Sequence, residues 1–162
     1  MRRALLACVG AAGAAVVTAG VTGGAAFGAT SGAQSFTITN SGRHGPPHVN
    51  ATGPIHGSGY DRQVSQNHDR FIFPGQGSVG VNHATTASHP GPSVGCTFFY
   101  NERGTYQLTG GTGQYVGASG GGTYTLQDVF FANRKANGEC SQHSGQNLTL
   151  INAHGHTTLP RG

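Results

Sequence analysis

Charged side chains are scarce in this sequence. It contains no tryptophan, a single lysine (Lys135) and only five acidic residues among 162 positions. The basic residues form no run, and loss of Arg2 and Arg3 with an N-terminal leader would lower the formal net charge of +4 by two. Nucleic-acid-binding surfaces need clustered Lys and Arg. We therefore predict no nucleic-acid partner.

Helical periodicity is also missing, because no long window repeats apolar residues at intervals of three and four positions. Apolar and polar residues alternate instead in the segments 35–39, 78–83, 105–109, 123–126 and 147–151. Clusters of Pro, Gly, Asn and His, such as 45–48 and 89–92, separate them. Many short strands joined by turns are typical of an all-β sandwich or barrel. We predict a barrel, since closure removes exposed sheet edges.

The N-terminus is typical of a secretory signal peptide, with a short basic head, an apolar stretch and small residues. Repeated glycines dilute the apolar stretch, which disfavours a transmembrane anchor. We predict a signal peptide over residues 1–28, with cleavage between 26 and 33. A flexible segment with a candidate first strand (29–49) and a barrel domain (50–162) follow it. The mature protein is then expected to be extracellular, without a membrane span.

Cysteine is scarce too. Of three cysteines, Cys8 belongs to the predicted leader, which leaves Cys96 and Cys140. An even pair in an exported protein predicts a disulfide. The alternative is a pair of zinc ligands, which would lack the C-x-x-C spacing of such sites.

Glycine is abundant in "GGTGQYVGASGGGTYTL", residues 110–126. A dinucleotide-binding loop would need a third glycine where Val116 stands, and a P-loop would need Lys followed by Ser or Thr. A flexible linker is disfavoured because aromatic and aliphatic residues interrupt the glycines regularly. We predict a tight turn at 110–113 between two antiparallel strands. Gly117 and residues 120–122 would leave room for aromatic rings or mark a bulge.

The longer segment "GTYQLTGGTGQYVGASGGGTYTL" (104–126) resembles the signature of the dirigent and allene oxide cyclase barrel-like superfamily. There a G-T-Y/F strand runs into G-G-T-G, an aromatic residue and a strand of small residues. Segments 51–61 and 69–83 resemble strands of secreted actinobacterial relatives, and Cys96-Thr97 matches a Cys-Thr pair in them. The resemblance covers about residues 50–155.

This resemblance implies an eight-stranded antiparallel barrel with an apolar lumen. Plant members guide the coupling of phenoxy radicals or cyclise an unstable fatty-acid epoxide, in both cases by orienting a reactive apolar molecule. It therefore implies a small apolar ligand, no cofactor and no metal. Relatives often form homo-oligomers.

Two sets of residues are candidates for the site. Asp61, Arg70 and Glu102 lie near predicted strand ends and are candidate catalytic groups at the barrel mouth, with Asp61 or Glu102 as general acid or base. Aromatic residues on or beside predicted strands are candidates to line the lumen: Tyr60, Phe71, Phe73, Tyr106, Tyr115 and Tyr124. The alternative for these rings is that they fill the core.

Other chemistry is disfavoured. His154 and His156 would share one face of a strand, but no carboxylate lies close in sequence to complete a metal site. The nine histidines are better explained as surface residues, and we predict no metal. A serine hydrolase is disfavoured because no G-x-S-x-G elbow is present.

Three functions stay open. The chain could be a cofactor-independent isomerase or cyclase, a non-catalytic binding barrel, or a structural or adhesive extracellular protein whose lumen is filled by its own side chains. An open lumen would separate the last from the first two. A lumenal carboxyl group with a raised pKa would favour the isomerase.

Overall fold

The computed structural model describes residues 29–42 and 45–160, so the predicted signal peptide over 1–28 lies outside the described residues. The described chain forms eight strands: β1 (Thr30–Asn40), β2 (His48–Thr52), β3 (Gly57–Ser65), β4 (His68–Phe73), β5 (Gly77–Pro90), β6 (Thr97–Gly113), β7 (Ser119–Arg134) and β8 (Cys140–Leu159). Each pairs antiparallel with its neighbours in sequence, and β8 pairs with β1. The prediction of a closed, eight-stranded antiparallel barrel is confirmed.

The alternating pattern produces the barrel because neighbouring strand residues point to opposite faces. In β1, Phe36 and Ile38 are buried in the lumen, and Thr37 and Thr39 face outward. β1 pairs along its whole length with β8. The segment 29–49, set apart above as flexible with a candidate first strand, therefore carries β1 and the start of β2.

One end of the barrel is filled by its own side chains. Phe73 and Tyr115 pack edge to face with ring centroids 5.4 Å apart, and Ile55 and Val79 are fully buried beside them. Gln34 is 1% exposed. Its amide donates hydrogen bonds to the carbonyls of Thr52 and Ile55, and its carbonyl accepts one from the Ile55 backbone N–H. The opposite end contains the pocket described below.

The glycine-rich segment differs from the prediction of a turn at 110–113. β6 continues to Gly113, which pairs with Gly77 of β5, and the turn follows at residues 114–117. A Cβ at Gly111 or Gly113 would lie 2.3 or 2.2 Å from a carbonyl oxygen of the β5 side. These glycines therefore permit close contact between strands, which the sequence does not distinguish from a turn.

Residues 120–122 do not mark a bulge, which was one of the two alternatives expected of them. β6 and β7 pair without a register shift, and Cβ atoms at 120–122 would lie 2.0–2.4 Å from backbone oxygens. Gly104 leaves room for an aromatic ring, because a Cβ at this position would lie only 2.5 Å from Cε1 of Tyr124. Tyr124 pairs directly with Gly104, and Tyr106 pairs with Gly122. Both tyrosines of the pocket thus lie opposite a glycine.

The later strands are longer than the closed part of the barrel. β8 pairs with β1 only from Thr149 to Leu159, so its first half continues with β6 and β7 as an extension of the sheet. Cys96 and Cys140 form a disulfide at its tip, with their Cα atoms 5.3 Å apart, which confirms the predicted bridge. The described residues contain no helix that is long and apolar enough to cross a membrane.

Candidate functional site

A pocket lies in the lumen at the end of the barrel opposite Gln34. The centre of a water molecule can occupy a volume of about 80 Å³ in this pocket. This space is enough for several waters or part of a small organic molecule. Its apolar wall consists of inward-facing residues from five strands: Phe36, Ile38, Phe71, Val81, Leu126, Ile151 and Ala153. Its polar groups are Asp61, Asp69, His83, Glu102, Tyr106 and Tyr124.

Asp61 is the carboxyl group with the most perturbed surroundings. It lies on β3 opposite Phe71, and its Oδ1 is buried without a hydrogen-bond partner among the described residues. Burial and the neighbouring negative charge of Asp69 raise its pKa to about 7, although the backbone N–H of Arg62 acts in the opposite direction. A carboxyl group in this range both donates and accepts a proton near neutral pH.

Asp69 forms an ion pair with His83. Its Oδ2 lies 3.1 Å from Nε2 of His83 on the adjacent strand β5. Burial raises the pKa of Asp69, and the charges of His83 and His68 oppose this increase. The pair fixes the imidazole ring of His83, which packs edge to face against Tyr124 with ring centroids 6.1 Å apart.

Glu102 is held as a carboxylate by three hydroxyl groups. Its Oε1 accepts hydrogen bonds from Tyr124 at 2.5 Å and Thr85 at 2.8 Å, and its Oε2 accepts one from Tyr100 at 3.0 Å. Burial raises its pKa, but these hydrogen bonds and the charge of His83 together hold the pKa below its usual value. Burial and the bond to Glu102 raise the pKa of Tyr124 to about 12. Near neutral pH this part of the pocket therefore carries a negative charge.

Tyr106 supplies a second polar atom without a partner. The residue is 4% exposed, and its hydroxyl makes no hydrogen bond to the described residues. Burial raises the pKa of Tyr106, so the phenol remains protonated. Since buried polar groups are nearly always hydrogen-bonded, the Tyr106 hydroxyl and Asp61 Oδ1 are atoms that a bound molecule would satisfy.

The structure brings together five of the residues proposed from the sequence, because Asp61, Phe71, Glu102, Tyr106 and Tyr124 all line this pocket. The other candidates lie elsewhere. Phe73 and Tyr115 pack at the filled end of the barrel.

Arg70 and Tyr60 lie on the outer surface, because each is adjacent in sequence to an inward-facing residue. Arg70 precedes Phe71 and is exposed beside Gly80 of β5. Tyr60 precedes Asp61 and lines a shallow groove with Pro46 and Pro74.

Asp69, His83 and Phe36 also line the pocket but were not predicted from the sequence as residues of the site. The alternating pattern could have found them, because Asp69 lies two positions before Phe71 and His83 lies two positions after Val81. In a strand, residues two positions apart share a face. Phe36 is the inward-facing aromatic of β1 and packs against Phe71, with ring centroids 5.2 Å apart.

The histidine pair lies outside the pocket. His154 is exposed on the outer face of β8, and its Nδ1 lies 2.9 Å from the hydroxyl of Ser35. Within residues 29–42 and 45–160, no group of three or more His, Cys, Asp or Glu side chains is arranged to hold a metal ion.

No protein-family model, curated protein or solved structure matches this chain. The resemblance to the dirigent and allene oxide cyclase superfamily therefore stays a prediction that rests on the quoted segments.

Proposed function

We propose that this protein binds a small, largely apolar molecule in the barrel lumen and catalyses its isomerisation or cyclisation by proton transfer, without a cofactor. The observation that carries the proposal is Asp61, a carboxyl group of the pocket wall with a pKa of about 7 and an oxygen that has no hydrogen-bond partner among the described residues. Perturbed carboxyl groups in clefts are typical of acid–base sites. The resemblance in sequence agrees with the same class of chemistry.

Asp61 is the proposed acid–base group. As a carboxylate it removes a proton from one atom of the ligand, and as the resulting acid it returns a proton to another atom. The step is balanced without an oxidant, reductant or second substrate. A pKa near the ambient pH is favourable for both halves of such a transfer.

Tyr106 is the proposed hydrogen-bond donor to the ligand. Its buried hydroxyl has no partner among the described residues, and its raised pKa keeps the donor proton in place. A fixed donor of this kind stabilises an oxygen on which negative charge develops during proton removal. Phe36 and Phe71 would hold the apolar part of the ligand and exclude water.

The volume of the pocket also counts against the structural and adhesive alternative. That function requires a lumen filled by the protein's own side chains, as occurs around Gln34 and Tyr115. At the mouth, space remains between apolar walls from opposite sides of the barrel.

Exchange of the α-hydrogens of cyclohexanone in deuterium oxide, followed by NMR, tests the proposal. The ketone is small and apolar, and its exchange needs only a base and a donor to the carbonyl oxygen. We expect the protein to accelerate exchange above the buffer rate, with a pH dependence centred at about 7. Asp61→Asn should abolish the acceleration, whereas Glu139→Gln, an exposed carboxyl on the extension, should preserve it.

The same samples distinguish binding from catalysis. Perturbed resonances of Phe36, Phe71 and Tyr106 without accelerated exchange would favour a non-catalytic binding barrel. If cyclohexanone left both the resonances and the exchange rate unchanged, the proposed function would be wrong for this type of ligand.

A further inference from the structure

We propose that the ligand of this pocket is a small organic cation, an apolar molecule that carries a protonated or quaternary ammonium group. The inference rests on the proposed function, because it names the class of molecule that the same pocket binds. It is drawn from the charges and rings of the pocket wall.

The charges of the pocket favour a cation. Three carboxyl groups, Asp61, Asp69 and Glu102, reach it from three strands. His83 is the one basic side chain among the described lining residues, and it is already paired with Asp69. No lysine or arginine belongs to the described lining. An anionic ligand would therefore be repelled, whereas an ammonium group would compensate Glu102.

Glu102 is preorganised to meet such a group. Hydroxyls of Tyr124, Thr85 and Tyr100 fix its two oxygens in place. Its carboxylate needs no rearrangement to face a positive charge, and its charge persists across neutral pH because those hydrogen bonds favour the ionised form.

Aromatic rings complete the recognition of a cation. Phe36 lies 5.2 Å from Phe71 and 5.9 Å from Tyr106 between ring centroids, and the latter pair meets edge to face. Tyr124 closes the wall beside Glu102. Rings of this kind attract an ammonium group through their quadrupoles, most strongly where water is excluded, and they also bind its apolar substituents.

Two unpartnered polar atoms point to a ligand independently of the acidic cluster. Tyr106 is 4% exposed and lines the pocket, yet its hydroxyl has no partner in the described chain. Oδ1 of Asp61 is likewise buried and has no partner within the described part of the chain. A cation that also bears a hydroxyl group would satisfy both.

Binding of a cation has a consequence for protons. A positive charge beside Asp61 favours its carboxylate, so binding near neutral pH should release a proton from a group whose pKa is about 7. Among the residues that the structure describes, the other titratable groups that face the pocket are Asp69, His83, Glu102 and the two tyrosines. The residues lining it from β1 and β8 do not titrate: Phe36, Ile38, Ile151 and Ala153.

Choline and 3,3-dimethylbutan-1-ol provide a matched pair of probes. They have the same shape and the same hydroxyl group, but a neutral carbon replaces the charged nitrogen in the alcohol. Isothermal titration calorimetry in two buffers of different ionisation enthalpy measures affinity and proton release together. We expect choline to bind about tenfold more tightly than the alcohol. Only choline should release a proton.

Two variants locate the effect. Glu102→Gln should remove most of the preference for choline, because it deletes the fixed negative charge. Glu139→Gln removes an exposed charge at the tip of the extension and should leave the preference unchanged. The comparison of the two probes in the unaltered protein needs no variant, so a folding defect cannot obscure the result.

The outcomes separate this inference from the proposed function. Equal or tighter binding of the alcohol would overturn the cation proposal and leave an apolar binding pocket standing. Absence of binding by either probe, with unperturbed resonances of Phe36 and Tyr106, would overturn both. A preference for choline that survives Glu102→Gln unchanged would place the cation elsewhere and also overturn the inference.

Discussion

Tyr124 donates a hydrogen bond of 2.5 Å to Oε1 of Glu102, which joins β7 to β6 at the mouth of the barrel. The two residues are diagonal neighbours on the lumenal face, since Tyr124 pairs directly with Gly104. The bond favours the charged form of Glu102 and the neutral form of Tyr124, so it lowers one pKa and raises the other. It thereby fixes both the charge and the position of Glu102.

Tyr124→Phe should raise the pKa of Glu102, because it removes the shortest of the three hydroxyl contacts to this carboxylate. Carboxyl-carbon NMR titration measures the change. The variant should lose about 1 kcal/mol of unfolding free energy near neutral pH. The loss should shrink in acid, because a group with a lowered folded-state pKa contributes stability above its unfolded value and loses it as the pH falls.

Tyr100→Phe is the matched control for this prediction. Tyr100 also donates to Glu102, but over 3.0 Å from an exposed position. Its removal should raise the pKa of Glu102 less than Tyr124→Phe does. An equal effect of the two variants would contradict the central role assigned to Tyr124.

Asp61→Asn should stabilise the protein in alkaline solution and have little effect in acid. The folded-state pKa of Asp61 is about 7, above the value of 3.8 for an unperturbed side chain, so the folded state holds a proton that the unfolded state has lost. Stability therefore falls as the pH rises between these values, and the full penalty is present above the folded pKa. Since Asp61 is partly exposed, solvent screening reduces the penalty to about 2 kcal/mol.

Urea unfolding at about pH 4 and about pH 8 measures this effect. Asp128→Asn is a suitable control, because Asp128 is a half-buried carboxyl on β7 that does not line the pocket and accepts a hydrogen bond from Thr149. A pH-independent difference between Asp61→Asn and the unaltered protein would show that Asp61 titrates normally. Its proposed role as acid and base would then lose its basis.

Gly104→Ala should destabilise the barrel by about 1–3 kcal/mol through overpacking. The new Cβ would lie 2.3 Å from the carbonyl oxygen of Ala84 and 2.5 Å from a ring carbon of Tyr124. Gly32→Ala is the control, because its Cβ would meet only Pro54 at 3.6 Å and should be tolerated. Thermal unfolding distinguishes the two. Displacement of Tyr124 should also raise the pKa of Glu102.

The alternating pattern indicated an all-β sandwich or barrel and most of the inward-facing aromatic residues, and the removal of exposed sheet edges favoured the barrel. Tyr106 and Tyr124 line the pocket and are each flanked by outward-facing polar neighbours, and Phe71 lines it between the outward-facing Arg70 and Ile72. The pattern indicates which face of the sheet a side chain occupies, but not the position of the residue along the barrel axis. Phe73 and Tyr115 have the same character as Phe71, yet they lie at the filled end.

Contacts between charged residues that are far apart in the sequence could not be predicted, because these contacts depend on the register between strands. Asp61 and Asp69 approach each other through the pairing of β3 with β4, and Asp69 meets His83 through the pairing of β4 with β5. The position of the turn after β6 could not be predicted from the sequence either. Glycine suits both a turn and a close contact between strands, so composition alone does not separate Gly113 from Gly117.

Gln34→Leu should reduce stability by about 2–4 kcal/mol, although leucine matches the size and apolar surroundings of the site. The side chain of Gln34 is buried at the filled end, where it satisfies the backbone N–H of Ile55 and the carbonyls of Ile55 and Thr52. Leucine would leave these three backbone groups buried without a partner, and the cost of such groups exceeds the gain in apolar burial.

Gln107→Leu, at an exposed position of β6, should change stability by about 0.5 kcal/mol or less. Urea unfolding gives the free energies, and faster hydrogen exchange at the Ile55 amide should accompany the loss in Gln34→Leu. If Gln34→Leu were as stable as the unaltered protein, the hydrogen bonds of Gln34 would not be what closes this end of the barrel.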